Sequence, residues 1–249
     1  MKKIALILGL ALLTGSAAFA TPSTTYWTPM TMDIQAFKVV HLGIDNYYTT
    51  TKKLDTGEQG AFPTDLGLTM GVLPGDKLQM EIGIDALYPS DNPYYFNAKI
   101  GSPEGALFKG APALQVGIFN VGTKKDVTNQ DIFYGVIGKT IPGVGRLTAG
   151  PYVGNKNVLK DKNGEKENAG YMVAFDRGFI SSKDAAGNEY NKWVVAADYA
   201  SGDNALGGGG FGVYYFFTKD ISLLTGPVWF NEKAINGAMK WTTQLDINF

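Results

Sequence analysis

Any imidazole chemistry in this chain rests on His41, the only histidine in 249 residues. A metal needs convergent ligands, and the next acid in phase with it, Asp45, lies about 13 Å away along an extended segment. A serine or cysteine hydrolase needs its nucleophile against a base. There is no Cys, and the serines at 23, 90, 102, 181, 182, 201 and 222 sit mostly in turn-like sequence, with none expected on the face that His41 occupies. Residues 161–167, Asp-Lys-Asn-Gly-Glu-Lys-Glu, carry carboxylates as a calcium loop does, but their Gly is fourth rather than sixth and two lysines intrude. A hairpin tip at Asn163-Gly164 fits better. Glycines 207–210 lack the Lys-Ser/Thr and helix of a phosphate loop, and suit a bend, a bulge or the close approach of another segment. The expectation is no catalytic residue, no metal ligand and no cofactor.

The other charges recur on alternate positions of apolar sequence. Asp45, Glu81, Asp85, Asp176, Asp198 and Asp246 stand with Lys99, Lys139, Arg146 and Lys240, and with His41, Gln79, Asn97, Gln115, Thr242 and Gln244. Between them run apolar sets such as Leu78, Met80, Ile82, Ile84, or Phe211, Val213, Tyr215, Phe217. A period of two puts the two sets on opposite faces of a strand. Twelve strands are predicted, at 38–49, 62–72, 78–88, 94–101, 113–121, 132–139, 146–154, 169–177, 192–200, 207–217, 221–230 and 238–249. A tight turn near Ser90 and Asp91 would set Glu81 opposite Lys99 and Asp85 opposite Tyr95, an ion pair being the structural reading of the first. The same counting sets Lys139 opposite Arg146 across Pro142-Gly143, a like-charge pair that needs an anion or Asp176 to join it, and hence a candidate basic spot.

Those strands need a fold that gives one face hydrocarbon and the other water. Beyond residues 1–20 no stretch is long and apolar enough for a membrane-spanning helix, so a membrane location requires a closed barrel, with every backbone group bonded between strands. Mean hydropathy of −0.06 is what half-and-half alternation produces, and 32 Gly with 14 Phe and 13 Tyr suits a barrel with aromatic girdles. A soluble sandwich would bury its apolar face instead. Aromatics at strand ends, among them Tyr47, Tyr48, Tyr152, Trp229 and Phe230, are expected at the outer rim. A net charge of −1 with no basic tract gives no footprint for nucleic acid.

The ends of the chain carry the specific motifs. Lys2 and Lys3, the apolar run from Ile4 and Ala18-Phe19-Ala20 have the pattern of a secretory signal peptide cleaved after Ala20. With no Cys the exported chain is neither lipid-anchored nor disulfide-bonded. The final stretch alternates without a break from Met239 to Phe249. A signal peptide with such an aromatic-ended terminal strand resembles the outer-membrane β-barrels of Gram-negative bacteria. The resemblance implies an all-β, transmembrane antiparallel up-and-down barrel of about twelve strands, at 38–249. It makes Phe249 the assembly signal and places it in the periplasm. It also implies contact with outer-membrane lipid, lipopolysaccharide, the barrel-assembly machinery and periplasmic chaperones. On that orientation 155–168 is extracellular, and 178–191 is a long connection on the periplasmic side, where short turns are the rule. Residues 21–37 are either a periplasmic segment or a partial plug of the lumen.

The functional expectation is a monomeric, porin-like channel for passive diffusion of small hydrophilic solutes or ions. Its lumen would be lined by the inward residues above. No long loop folds inward on this reading, so selectivity falls to the wall or to 21–37. The alternative is a structural or docking barrel with a closed lumen that binds a periplasmic or surface partner.

Overall fold

The computed structural model of the chain describes residues 24–50 and 61–249. The signal segment, its cleavage site and residues 21–23 lie outside the described residues. Twelve antiparallel strands follow one another: β1 Val40–Thr49, β2 Thr64–Gly71, β3 Gln79–Tyr88, β4 Tyr94–Ser102, β5 Ala113–Gly122, β6 Ile132–Ile141, β7 Gly145–Val153, β8 Ala169–Lys183, β9 Glu189–Ala200, β10 Gly208–Phe216, β11 Ile221–Phe230 and β12 Lys240–Asn248. Each pairs with its sequence neighbours, and β1 closes the ring on β12 from His41↔Asn248 to Thr49↔Lys240. Closure leaves no strand edge around the wall, which a membrane-spanning sheet requires. A one-turn helix, α1 Lys233–Asn236, interrupts the β11–β12 connection, with Glu232 accepting from the Ala234 N–H.

We call the end where β1 starts and β12 stops the lower rim. Outside the wall, Leu68, Val116, Phe133 and Phe211 stand about half exposed with their apolar neighbours. A continuous apolar surface of this extent needs a partner, and on a closed barrel hydrocarbon is the one that fits all round. The side chain of Phe249 belongs to this outer face at the lower rim, 72% exposed, while its N–H donates to Val40 O at 2.9 Å. Inside, polar and small residues alternate with the apolar ones, as the period of two requires.

Several expectations are corrected. Residues 178–191 form no long loop: β8 and β9 run on as a ladder to Lys183↔Glu189, leaving only 184–188 as a turn in which Asp184 accepts the N–H groups of Ala186 and Asn188. Lys139 does not line the lumen. In the β6–β7 ladder Thr140, not Lys139, opposes Arg146, so Lys139 falls on the outer phase, where its ammonium binds Glu104 at 2.8 Å and Gly110 O at 2.9 Å. The proposed basic spot is not formed. Finally, Tyr47, Tyr152 and Phe230 turn inward rather than to an outer girdle, because apolar matter is available inside.

That matter is residues 24–36, which lie within the barrel. Tyr26 and Met30 are fully buried, and Met32 and Ile34 nearly so. At the upper rim the connections also fold inward, contrary to the expectation that no long loop does. Leu159 of 154–168 is fully buried, and the buried Asn204 donates to Tyr152 Oη at 3.1 Å and Glu167 O, while Asn236 reaches Asn204 O at 3.4 Å. The tip of 154–168 is the expected hairpin, with Lys160 bridged to Lys166.

Candidate functional site

The lumen is the candidate site, and its residues come from almost every strand. At the lower rim His41, 2% exposed, sets Nε2 3.3 Å from Asp246 Oδ1 and Nδ1 2.9 Å from Asn248 Oδ1. Ser222, on the inward face of β11, donates to Asp246 Oδ2 at 3.2 Å. A serine does therefore stand on the face shared with His41. The order of contacts is Ser222, Asp246, His41, with the carboxylate between the other two. A hydrolytic relay needs the imidazole in the middle, so that it can take the hydroxyl proton. This cluster ties β1, β11 and β12 together.

Glu81 and Lys99 pair at 3.1 Å, each about 95% buried, in the register expected across the β3–β4 hairpin. Glu81 also receives the Gln35 N–H at 2.6 Å, so the wall ion pair holds the inserted segment. Arg146 does the same farther round. Its Nε donates to Asp176 at 2.8 Å, while Nη1 and Nη2 grip Asp33 of the segment at 2.7 and 2.6 Å. Enclosure within the barrel favours the neutral form of Asp33, but the Arg146 charge and hydrogen bonds outweigh it and hold the carboxyl below its ordinary value.

Asp198 makes the third anchorage. Its Oδ2 accepts the backbone N–H groups of Tyr26, Trp27 and Thr28 at 3.0, 2.9 and 2.7 Å, and the Thr28 hydroxyl at 2.8 Å. Successive N–H groups converging on one oxygen form an anion nest, and here the anion is the wall's own carboxylate. Tyr26 lies in a cradle of glycines. A Cβ on Gly210, Gly212 or Gly226 would come within 2.6, 2.5 or 2.7 Å of its ring or hydroxyl, and the hydroxyl donates to Pro227 O at 2.9 Å. The close approach expected at glycines 207–210 is thus made at Gly210, and extends to the next inward glycines. Burial, then the nearby Asp198 charge, push the Tyr26 phenol up, so it stays a neutral donor. Gln244 completes the seat, donating to Tyr26 O and Tyr47 Oη, both at 2.9 Å.

Lys240 is fully buried. Its ammonium lies 4.8 Å from the Phe62 ring centre and donates to Asn236 O at 3.1 Å. Gln115, also buried, donates to Tyr134 Oη at 3.3 Å. Asp45 faces Asp65 across the β1–β2 ladder, and Asp85 on β3 accepts from Asn97.

The segment divides the lumen into two spaces. A lower cavity of about 460 Å³ is bounded by Thr24, Thr31, Asp33, Arg146, Asp176 and Tyr214, among others. An upper one of about 300 Å³ has Asp45, Asp65 and Asp85 on one side and Trp27, Tyr47 and Phe62 on another. Among the described residues no group of three or more His, Asp or Glu is arranged to hold a metal ion.

Asp33, Asp65, Ser222 and Tyr26 were not picked out from sequence. Asp65 had a usable signal, since Leu66, Leu68 and Met70 are the apolar phase of its strand. Ser222 had none, because Leu223 and Leu224 make both faces of β11 apolar. Asp33 and Tyr26 lie in a segment without periodicity.

No family model matches the chain, and no curated relative does. Among solved structures it is similar to an outer membrane channel from Pseudomonas putida F1, at 12% identity over 92% of this chain and 99% of that one, with a TM-score of 0.44. It is similar to the NanC porin at 9% identity over 84% and 98%, TM-score 0.47, and to OmpF of Salmonella typhi at 8% over 85% and 96%, TM-score 0.36. Likenesses this distant transfer no residue and no solute. The chain's own strand register closes the barrel, and that wall, apolar outside and carrying its buried charged side chains within, fits a porin-like outer-membrane barrel.

Proposed function

We propose that the chain is an outer-membrane channel for small hydrophilic solutes or ions, closed in this conformation by residues 24–37. The observation that carries this reading is the lumen, whose wall sets charged and polar side chains among apolar ones and whose central space is filled by a segment of the same chain, held by hydrogen bonds to Asp198, Glu81 and Arg146 and by the packing of Tyr26, Met30 and Met32. Such a segment is removable without opening the barrel ladder. With it gone, Asp45, Asp65, Glu81, Asp85, Asp176, Asp198 and Asp246 outnumber Lys99, Arg146 and Lys240 along the path, which favours cations.

The test is single-channel recording in planar bilayers of the full chain and of a form lacking residues 21–37. The full chain is expected to pass little current and the shortened form to conduct. Silence from both, with heat-modifiable gel mobility proving a closed barrel, would favour a docking barrel. That second reading has one observation of its own: the β8–β9 ladder continues beyond Arg146↔Asp176, where β7 stops pairing, and offers a surface at the lower rim.

A further inference from the structure

The lower cavity adjoins the one contact in which the segment meets the wall through a planar, two-point ion pair. Arg146 spends its Nε on Asp176 and presents both terminal nitrogens to Asp33, whose side chain is 48% exposed. A guanidinium fork of this kind is shaped for a carboxylate, and any free carboxylate entering the cavity meets the same two donors. We infer that the lower cavity is a binding site for a small monocarboxylate, that Asp33 is its resident stand-in, and that an incoming carboxylate displaces Asp33 and loosens the arm 31–34 from the wall, while Gln35 stays held by Glu81.

Charge selects a monoanion. Arg146 and Asp176 together are neutral, so one carboxylate replaces Asp33 charge for charge, whereas a dianion such as phosphate adds a charge beside Asp176 that nothing offsets. Size and lining set the rest of the ligand. About 460 Å³ receives a body of several carbons, with Val194, Ala196, Tyr214 and Phe216 as an apolar wall and the threonines 24, 25 and 31 as hydroxyl partners. Those contacts matter because Asp33 is tethered. A tethered group acts at an effective concentration of about millimolar or more, so a competitor needs either comparable concentration or additional contacts. The upper part of the segment, held by Asp198, is not touched by this exchange.

The site rests on the reading of 24–37 as a separable occupant of the lumen, but its test does not need current. With no Cys in the chain, Met32→Cys places a single thiol on the arm beside Asp33, where the native side chain is 7% exposed. The probe is butyrate against equal concentrations of chloride and of phosphate at constant ionic strength, with the rate of reaction toward a maleimide as readout. Butyrate is expected to raise the rate at least about threefold over chloride, and Asp33→Asn in the same background to raise it without butyrate. Arg146→Lys keeps the charge but not the fork, and is expected to abolish the butyrate response while the barrel remains closed by gel mobility. Calorimetry on the unsubstituted protein should show saturable butyrate binding that Arg146→Lys removes. Equal rates in butyrate and chloride, an equal response to phosphate, or no effect of Asp33→Asn would each overturn the inference. A labelling response with silent bilayers would leave the site standing and remove the channel.

Discussion

Asp198 holds Thr28 twice, once through the backbone N–H at 2.7 Å and once through the hydroxyl at 2.8 Å. The same oxygen takes the N–H groups of Tyr26 and Trp27, so a single wall carboxylate satisfies three consecutive peptide groups that have left water. Hydrogen bonds to an ionised group contribute about 1.5 to 3 kcal/mol each, and do not add fully when they share one acceptor.

Asp198→Ala is therefore expected to loosen the upper half of the segment and raise bilayer conductance at least about tenfold, with Asp198→Asn intermediate because its amide oxygen still accepts. Conductance and amide exchange of 26–28 unchanged from the parent would contradict the anchoring role.

The glycine cradle and Tyr26 should behave as one unit. Gly212→Ala sets a methyl against the ring and should cost about 1 to 3 kcal/mol by overpacking. Tyr26→Ala should cost about 3 to 5 kcal/mol by leaving a void. The double variant should be more stable than the sum of the two single effects predicts, because the clash with the ring is gone while the approach to Thr225 O remains. Denaturant titration of the four proteins in detergent measures this, and strict additivity would refute the contact.

Breaking the Glu81–Lys99 pair leaves a buried charge alone. Glu81→Gln is expected to destabilise the barrel by about 3 to 5 kcal/mol, and the apolar double variant Glu81→Leu with Lys99→Met to recover most of it. Because Glu81 also receives the Gln35 N–H, the double variant should remain looser at 31–37 than the parent, which amide exchange reads directly.

Acid should release the lower arm. Asp33 has its docked value below the ordinary 3.8, so its contact stabilises fully above that ordinary value and is lost as pH falls through the lower, docked one. The groups facing it are Arg146, Asp176, Lys99 and Thr31. Exchange of amides 31–34, corrected for the intrinsic pH dependence, should be flat from neutrality to about pH 5 and accelerate only below the ordinary carboxylate range. In Asp33→Asn it should be fast throughout. A parent whose exchange stays flat to the acid limit of the barrel would rule the contact out as a latch.

Lys139, once expected inside, now supplies a control. Lys139→Glu should leave the ion preference of the segment-deleted channel unchanged, whereas Asp65→Asn with Asp85→Asn should lower its preference for cations. Reversal-potential measurements separate the two, and a shift with Lys139→Glu would return that side chain to the lumen.

Alternation made the wall legible. Where one face of a strand is polar and the other apolar, as in 78–88 and 238–249, phase and register follow, and the Glu81–Lys99 pair is legible from the sequence. Around 132–141 both faces are apolar, Ile132, Tyr134 and Val136 inside and Phe133 and Ile137 outside, so the phase had no polar marker and Lys139 was set on the wrong face. The aromatic residues Tyr47, Tyr152 and Phe230 were misplaced for a related reason. Sequence rules for barrels assume water within, but here 24–36 and the upper connections give the lumen a partial core, and aromatic rings pack there. The inserted segment itself carries no period to read. Its position depends on Asp198, Gly210, Gly212 and Arg146, each far away along the chain.

That distance has a kinetic consequence. Tyr26 is 172 residues from Asp198 and 218 from Gln244, and its ring is cupped by glycines from two different late strands. None of those partners is in place until β9 through β12 have paired and met β1. Contacts of such long sequence separation form slowly, and the seam that closes the ring, from His41 to Asn248, spans about as many residues. Seating of the segment and closure of the ring therefore both belong to the end of assembly, a stage at which it can be observed and intercepted.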